Sequence, residues 1–192
     1  AAARASLPAF RSMTAAIRLR LFGAPTVAHG GRSHVLPRER RTQLIAYLAL
    51  RRTWVGRGEL AALLWPEQPA KLAYTNLRKA LHRLQSLPWA AGLEQQGSAL
   101  RFAPPTDVED FETALRERRL AEAIALQREV LLAGFDDAGN EAWSAWLDFE
   151  RGRLQANWRS ALKERLSAEV DDTELADLAS RRPSRLPCQG PI

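Results

Sequence analysis

The chain has 192 residues, of which 46% are hydrophobic and 26% charged, a composition typical of a soluble globular protein and not of a disordered one. No stretch approaches the roughly 18 uninterrupted apolar residues of a membrane span, so we expect no membrane partner. The single cysteine, Cys188, has no partner for a disulfide or a cysteine-based metal site within the chain. This favours a reducing, cytoplasmic location.

The net charge of +6 is distributed unevenly between the two halves of the chain. Residues 1–105 hold 16 Lys and Arg against 4 Asp and Glu, a net charge of +12. Residues 106–192 hold 12 against 18, a net charge of −6. Such a split indicates two modules with different partners, a basic one for nucleic acid and an acidic one for something else.

The N-terminal part predicts a small antiparallel sheet. Residues 1–15 are small, without periodicity, and are expected to be disordered; Met13 is a candidate native start. Apolar residues at 17, 19 and 21 alternate with arginines, which predicts a half-buried strand ending at Gly23. Two further short strands, over 25–28 and 33–36, flank a turn at His29-Gly-Gly.

Three helices and a hairpin are predicted after this sheet. Pro37 opens the first helix, and arginines at its start oppose the helix macrodipole, so they indicate a nearby phosphate. The second helix covers 59–64 and the third covers 72–87. A β-hairpin with a Gly-Ser tip follows over 93–102, and Pro104-Pro105 marks the module boundary.

The third predicted helix is the most informative stretch of the sequence. Leucines at 77, 81 and 84 fall on one face, together with two alanines. The other face has no carboxylate and carries Asn76, Arg78, Lys79, His82 and Arg83. A solvated helix ordinarily mixes both signs of charge. This face therefore favours a polyanion, with nucleic acid as the default; the alternative is a basic surface helix without a ligand.

The remainder of the chain is predicted to be helical. Asp107 is a candidate N-cap for a helix over 108–118, and a second helix over 120–132 ends at Gly134. A turn at 136–139 precedes a long helix over 141–166 with an apolar stripe of leucines and tryptophans, and a short helix covers 173–179. We interpret Trp143, Trp146 and Trp158 as core; an exposed one would mark a partner surface.

The order of these elements is that of a winged helix-turn-helix with an N-terminal sheet, mainly α with a small β component. The segments IRLRLFGAPTV, RRTQLIAYLAL, ELAALLWPE and NLRKALHRL resemble the OmpR-type DNA-binding domain of the antibiotic regulatory protein (SARP) family of bacterial activators. DVEDFETAL, LAEAIALQREVLLAGF and AWLDFERGRL resemble the bacterial transcriptional activation domain that follows it, an all-α module of tetratricopeptide-like helix pairs. The resemblance covers roughly residues 17–166. Gly56 stands where family members often carry Ser or Thr.

We therefore predict a disordered N-terminus over 1–15, a DNA-binding domain over 16–105, a helical module over 106–180 and a flexible tail over 181–192. The resemblance implies a sequence-specific transcriptional regulator, an activator, that binds promoter double-stranded DNA, including direct repeats. It also implies that the helical module contacts a second copy of the chain, as in a homodimer, or RNA polymerase.

A helix-turn-helix reads bases through the exposed face of its recognition helix in the major groove. We predict that Thr75, Arg78, His82 and Arg83 lie nearest the bases and that Asn76 and Lys79 contact phosphates. Further candidate contacts, to the DNA backbone or through the wing, are Arg38, Arg40, Arg41, Arg57, Lys71, Gln95, Gln96, Ser98 and Arg101. For Arg40 and Arg41 the alternative is a surface ion pair with Glu39. Trp54 and Trp65 are interpreted as packing residues.

Catalysis has little support in the sequence, so we predict no enzyme activity, no cofactor and no metal. The histidines, His29, His34 and His82, are scattered and lack metal-ligand spacing. No nucleophile elbow and no phosphate-binding glycine loop is present.

Two alternatives to a transcriptional regulator stay open: an adaptor whose basic face docks an acidic protein, and a non-specific or RNA-binding module. The first predicts no duplex binding, and the second predicts salt-sensitive binding without sequence preference.

Overall fold

The computed structural model describes residues 17–180, and for 170–180 the backbone alone. The predictions made for residues 1–15 and 181–192, including the start at Met13 and the role of Cys188, lie outside the described residues.

The chain begins with the predicted three-stranded antiparallel sheet, β1 (Arg18–Arg20), β2 (Thr26–His29) and β3 (Arg32–Val35). Leu19 pairs with Val27 across the sheet, and both side chains are fully buried, whereas the arginines of β1 are exposed. The turn between β2 and β3 consists of Gly30 and Gly31, which have φ of 58° and 75°. A two-residue hairpin turn whose twist matches that of its strands commonly requires positive φ at both central residues.

A winged helix-turn-helix follows this sheet. Its elements are α1 (Arg40–Arg51), β4 (Val55–Gly56), α2 (Arg57–Leu64), α3 (Ala70–Gln85), a 3₁₀ turn (Pro88–Ala90), β5 (Glu94–Gln96) and β6 (Ala99–Arg101). The wing is the predicted hairpin β5–β6 with β4 added on the other side of β6, in the order β4-β6-β5. Sequence reasoning missed β4, because two residues are too few to show alternation. The fold class predicted from the sequence is confirmed.

Helix starts differ from the prediction by a few residues. α1 begins at Arg40 and not at Pro37, because Glu39 at the N-cap is fully extended, with φ −149° and ψ 164°. α2 and α3 each begin two residues earlier than predicted. α3 nevertheless buries the predicted stripe of leucines and alanines.

The second half contains α4 (Asp107–Arg116), α5 (Leu120–Leu126) and α6 (Glu141–Ser180). Thr106, and not Asp107, is the N-cap of α4, since its hydroxyl oxygen accepts a hydrogen bond from the backbone of Glu109 at 3.0 Å. The long helix α6 also includes residues 173–179, for which a separate helix was predicted.

The helix predicted over 120–132 ends at Leu126, so Gly134 does not stop it. The chain after α5 instead returns to the N-terminal sheet. The backbone N–H of Gly23 donates to the carbonyl of Val130 at 2.9 Å, and that of Leu132 donates to the carbonyl of Leu21 at 2.8 Å. These hydrogen bonds join residues more than 100 positions apart and replace those that a longer α5 would make. A local sequence pattern does not predict them.

One hydrophobic core extends through both halves of the described chain. Phe22, two residues after β1, packs edge-on against Phe111 of α4, with ring centroids 5.7 Å apart. Trp143 of α6 is fully buried, and its indole N–H donates to the carbonyl of Phe135 at 2.8 Å. The packing is continuous across the module boundary predicted at residue 105. The division of the chain into two functional modules therefore stays a prediction.

Candidate nucleic-acid interface

The recognition-helix candidate α3 is held by its buried stripe. Leu77, Leu81 and Leu84 are 1%, 4% and 0% exposed, and the stripe packs against α1 and α2. Burial of three leucine side chains stabilises the helix by roughly 1.5–3 kcal/mol for each residue. The packing thus fixes which face of α3 points to solvent.

We call the exposed side of α3 that carries its positive charge the basic face; it is defined by Lys71, Arg78, Lys79 and Arg83, together with the imidazole of His82. All five side chains are exposed. Within residues 17–169, none of them makes an ion pair or a hydrogen bond. The arginines in residues 106–169 differ sharply, because five of the eight bind carboxylates: Arg118, Arg119, Arg151, Arg153 and Arg165. The positive charge of α3 is therefore available to an external anion.

The helical geometry separates the predicted contact residues. At about 100° per residue, Thr75, Lys79 and His82 lie opposite the buried stripe, while Arg78 is on one flank and Arg83 on the other. Thr75 is half-buried, and its hydroxyl donates to the carbonyl of Lys71 at 2.9 Å, which leaves its oxygen free to accept.

A concavity of about 370 Å³ lies between the start of α1 and one flank of α3, and it brings together five of the predicted residues with Trp65 and Glu39. The five predicted residues in its lining are Arg40, Arg41, Asn76, Lys79 and Arg83. The first turn of α1 has no acidic residue and no side-chain cap, so its N–H groups add positive potential.

Two of these arginines are engaged within the protein. Arg41 Nε lies 2.5 Å from Glu39 Oε1, which is the surface pair that sequence reasoning gave as the alternative. Arg40 donates to Gln43 Oε1 at 2.9 Å and also forms an ion pair with Asp137 of the helical half. The carboxylate of Asp137 had no sequence signal, because 97 residues separate it from Arg40.

Arg38 lies apart from α3. Its exposed guanidinium is packed against Gly134, in a second concavity that includes Asp136 and Asp137. Asp136 accepts hydrogen bonds from Arg151, and these bonds, with a weaker contribution from Arg38, lower the pKa of the Asp136 carboxyl. The structure thus places Arg38 with the helical half and not with the basic face.

The wing carries the remaining predicted residues. Arg57 Nη2 donates to Gln95 Oε1 at 2.7 Å, and its backbone N–H donates to the carbonyl of Ser98 at 2.8 Å, which ties the start of α2 to the wing turn. The Arg101 guanidinium lies 5.8 Å from the ring centroid of Trp54. Gln96 and Ser98 are exposed at the hairpin tip, next to these arginines.

The Nε atoms of Arg57 and Arg101 are both buried without a hydrogen-bond partner. The Arg101 Nε is 3.6 Å from Glu94 Oε1, too far for a hydrogen bond. Trp54 is 40% exposed beside the Arg101 guanidinium, so its interpretation as a packing residue stays a prediction. Trp65 is partly buried against the core.

Two apolar side chains of α3 were missed as surface candidates. Leu72 and Tyr74 are 44% and 47% exposed on the same helix as the basic face. Sequence reasoning selected polar residues and assigned apolar ones to packing. Helical spacing contains the signal for Leu72, which lies off the buried stripe, but not for Tyr74, which is seven residues before Leu81 and falls at the edge of that stripe. Exposed apolar atoms of a recognition helix can contact the methyl group of thymine.

The described part of the chain, residues 17–180, forms neither a metal-binding cluster nor a membrane span. Among the side chains of residues 17–169, no group of three His, Cys, Asp or Glu is placed to hold a metal ion. None of its helices is both long and apolar enough to cross a membrane.

Comparison with known proteins reveals similarity at the level of structure and not of sequence. No protein-family model matches the chain, and no curated protein sequence matches it. Among solved structures, the chain is similar to EmbR of Mycobacterium tuberculosis in complex with a low-affinity phosphopeptide, with 18% sequence identity and a TM-score of 0.49. The match covers 89% of this chain and 52% of EmbR, so the chain spans about half the length of that protein.

Proposed function

We propose that this chain is a sequence-specific, double-stranded DNA-binding transcriptional regulator, an activator acting in the cytoplasm. The observation that carries the proposal is the basic face of α3, whose exposed cations have no partner within residues 17–169. The resemblance of the α2 and α3 segments to the SARP DNA-binding domain supports the same conclusion from the residues.

The helix α3 has the dimensions that major-groove recognition requires. An α-helix with side chains is about 10–12 Å across, and the major groove of B-DNA is about 12 Å wide. Thr75, Arg78, His82 and Arg83 are the proposed base contacts. Arg can donate two hydrogen bonds to guanine, and each such pair discriminates by about 1–3 kcal/mol against other bases.

Phosphate contacts are proposed on both sides of α3. On one side, Lys79 and Asn76 face the positive start of α1. On the other side, the wing offers the partly exposed side chains of Arg57 and Arg101, next to the exposed hairpin tip. Lys71, Gln96, Ser98 and the arginines of α1 complete the proposed surface.

The acidic helical half is proposed to contact a second copy of the chain or RNA polymerase. This part of the proposal rests on the resemblance to the bacterial transcriptional activation domain and on the charge of −6 in residues 106–192. A regulator that binds direct repeats would place two copies head to tail.

The test is selection from a random duplex library with the whole chain, since one core joins its two halves. The wild-type chain should enrich one motif, and the Arg78→Glu variant should lose that enrichment. Arg159→Glu is the matched control, because Arg159 is exposed on α6, has no ion pair with residues 17–169, and undergoes the same charge change. Retention without enrichment would show a charge-driven binder, and no retention at low salt would favour the adaptor hypothesis.

The salt dependence of duplex binding separates base contacts from phosphate contacts. The logarithm of the binding constant falls with the logarithm of the salt concentration by about 0.9 for each neutralised phosphate. Lys79→Ala should lower this slope by about 1 and weaken binding to all sequences alike, whereas His82→Ala should leave the slope unchanged and relax one position of the motif.

A further inference from the structure

Asn140 connects the helical half to the end of α2. Its side chain is fully buried, and its amide Nδ2 donates to the carbonyl of Leu63 at 2.9 Å and lies 3.4 Å from that of Leu64. Its Oδ1 accepts from the backbone N–H of Trp143 at 3.0 Å. One side chain therefore caps the start of α6 and also binds the last carbonyls of α2.

The chemistry of this junction requires an amide. The last carbonyls of a helix lack partners within the helix, and a buried unpaired carbonyl costs about 1–3 kcal/mol. An Asn side chain donates and accepts at the same time, whereas an ionised Asp only accepts. Replacing Asn140 by Asp would keep the cap on α6 and remove the bond to α2.

A displacement at the end of α2 would be transmitted to α3. Only residues 65–69 separate the two helices, and both bury leucines in the same core. Tyr74 of α3 lies so close to Gly58 of α2 that a Cβ added there would be 2.9 Å from the tyrosine hydroxyl. α2 and α3 are thus packed as a pair.

The turn that ends at Asn140 also holds α1. The backbone N–H of Asn140 donates to the carbonyl of Asp137 at 2.9 Å, and the Asp137 carboxylate pairs with Arg40 at the start of α1. One turn further into α6, the ring of Trp146 packs on that of Tyr47, with centroids 4.8 Å apart. The start of α6 therefore contacts both helices that support α3.

We propose that Asn140 is a positioning residue for DNA recognition: its amide aligns α2, and through α2 the recognition helix α3, on the helical half. The inference rests on the proposed function. It makes the helical half part of the DNA-reading apparatus, in addition to any partner that this half binds.

The test compares Asn140→Asp with Asn157→Asp in the whole chain. Asn157 lies on the same helix and is only partly buried, so it controls for the chemistry of the change. Asn140→Asp should lower affinity for the selected motif about tenfold, the equivalent of one base contact. Affinity for random duplex and the salt slope should change less than about twofold, because the cations of α3 are untouched.

Hydrogen exchange of the peptide over 63–73 gives a second readout that does not depend on DNA. Asn140→Asp should accelerate exchange there while exchange in the wing over 94–101 stays as in the wild-type chain. Asn140→Ser keeps a cap on α6 without a new charge and should give the same two results. If the Asn140→Asp variant does not fold, the Asn140→Ser variant provides the test.

The outcomes separate this inference from the proposed function. Unchanged motif affinity in both Asn140 variants would overturn it, as would parallel losses of specific and non-specific binding with faster exchange throughout the chain. If the wild-type chain shows no sequence preference, the proposed function fails. If the Asn140 variants then show faster hydrogen exchange only over 63–73, Asn140 still links α6 to α2 in the structure, and only its role in DNA recognition is refuted.

Discussion

Asp107 joins the N-terminal sheet to α4, and its removal should measurably destabilise the whole chain. The carboxylate is 7% exposed and accepts hydrogen bonds from the backbone N–H groups of Leu21 at 2.8 Å and Phe22 at 3.1 Å. These two N–H groups follow β1, and within residues 17–169 they have no other acceptor. Asp107→Ala would leave both of them buried and unpaired.

The expected loss follows from these two donors. An unpaired buried N–H costs about 1–3 kcal/mol, and relief of the buried charge offsets part of that cost. We expect the free energy of unfolding to fall by about 3 kcal/mol, which lowers Tm by about 9 °C in a chain of this size. Asp110→Ala is the control, because Asp110 pairs with Arg18 at the surface, where both side chains are more than a third exposed. Such a pair contributes at most about 1 kcal/mol.

Urea unfolding followed by circular dichroism measures both variants. If Asp107→Ala cost no more than Asp110→Ala, the argument that this carboxylate stabilises the junction would be wrong. The pH dependence supplies a second check. Burial raises the pKa of Asp107 above 3.8, so its contribution to stability is greatest below that value and falls as the pH rises through the raised pKa. The difference in unfolding free energy between the wild-type chain and Asp107→Asn should therefore shrink as the pH rises from below 3.8 through the raised pKa of Asp107.

Three further predictions concern other parts of the structure. Burial and a hydrogen bond to a carboxylate raise the pKa of Tyr47 to about 12, so ultraviolet titration of the Tyr74→Phe variant should show its remaining tyrosine ionising near that pH; ionisation near 10 would contradict the packing. Gly134→Ala should lower the free energy of unfolding by about 1–2 kcal/mol, because φ is +78° and the new methyl would displace Arg38; an unchanged urea midpoint would argue against this turn. A fragment over 13–105 should unfold at lower urea concentration than the whole chain, because truncation uncovers the shared core; an equal midpoint would show that the first module is independent.

Local patterns were sufficient for the winged helix-turn-helix. The alternation around Leu19 and the leucine stripe of α3 are properties of strand and helix period, and burial follows them in the structure. The absence of carboxylates on the basic face was equally visible, because it is a matter of composition at helical spacing. The assignment of base and phosphate contacts stays a prediction.

Long-range contacts decided the remainder. Asp107 was expected to cap α4, a role that belongs to Thr106, because the pattern of a helix start does not show that two N–H groups of the sheet lie within reach. The helix predicted through residue 132 stops at Leu126 for a similar reason, since the segment that follows bonds to the backbone at Leu21 and Gly23. Helical propensity over a few residues differs by tenths of a kcal/mol, less than several buried backbone bonds contribute.

The sequence by itself determined most of the strands and helices and which helix exposes an unneutralised positive face, because side-chain period and charge are local properties. Only the tertiary structure decided which of the predicted cations are free: it pairs Arg40 with Asp137 and places Arg38 against Gly134, while the basic face of α3 keeps its charge. It also decided that Asn140 reaches the end of α2, a contact across 77 residues. Such contacts depend on how the core packs, and no spacing within one element contains that information.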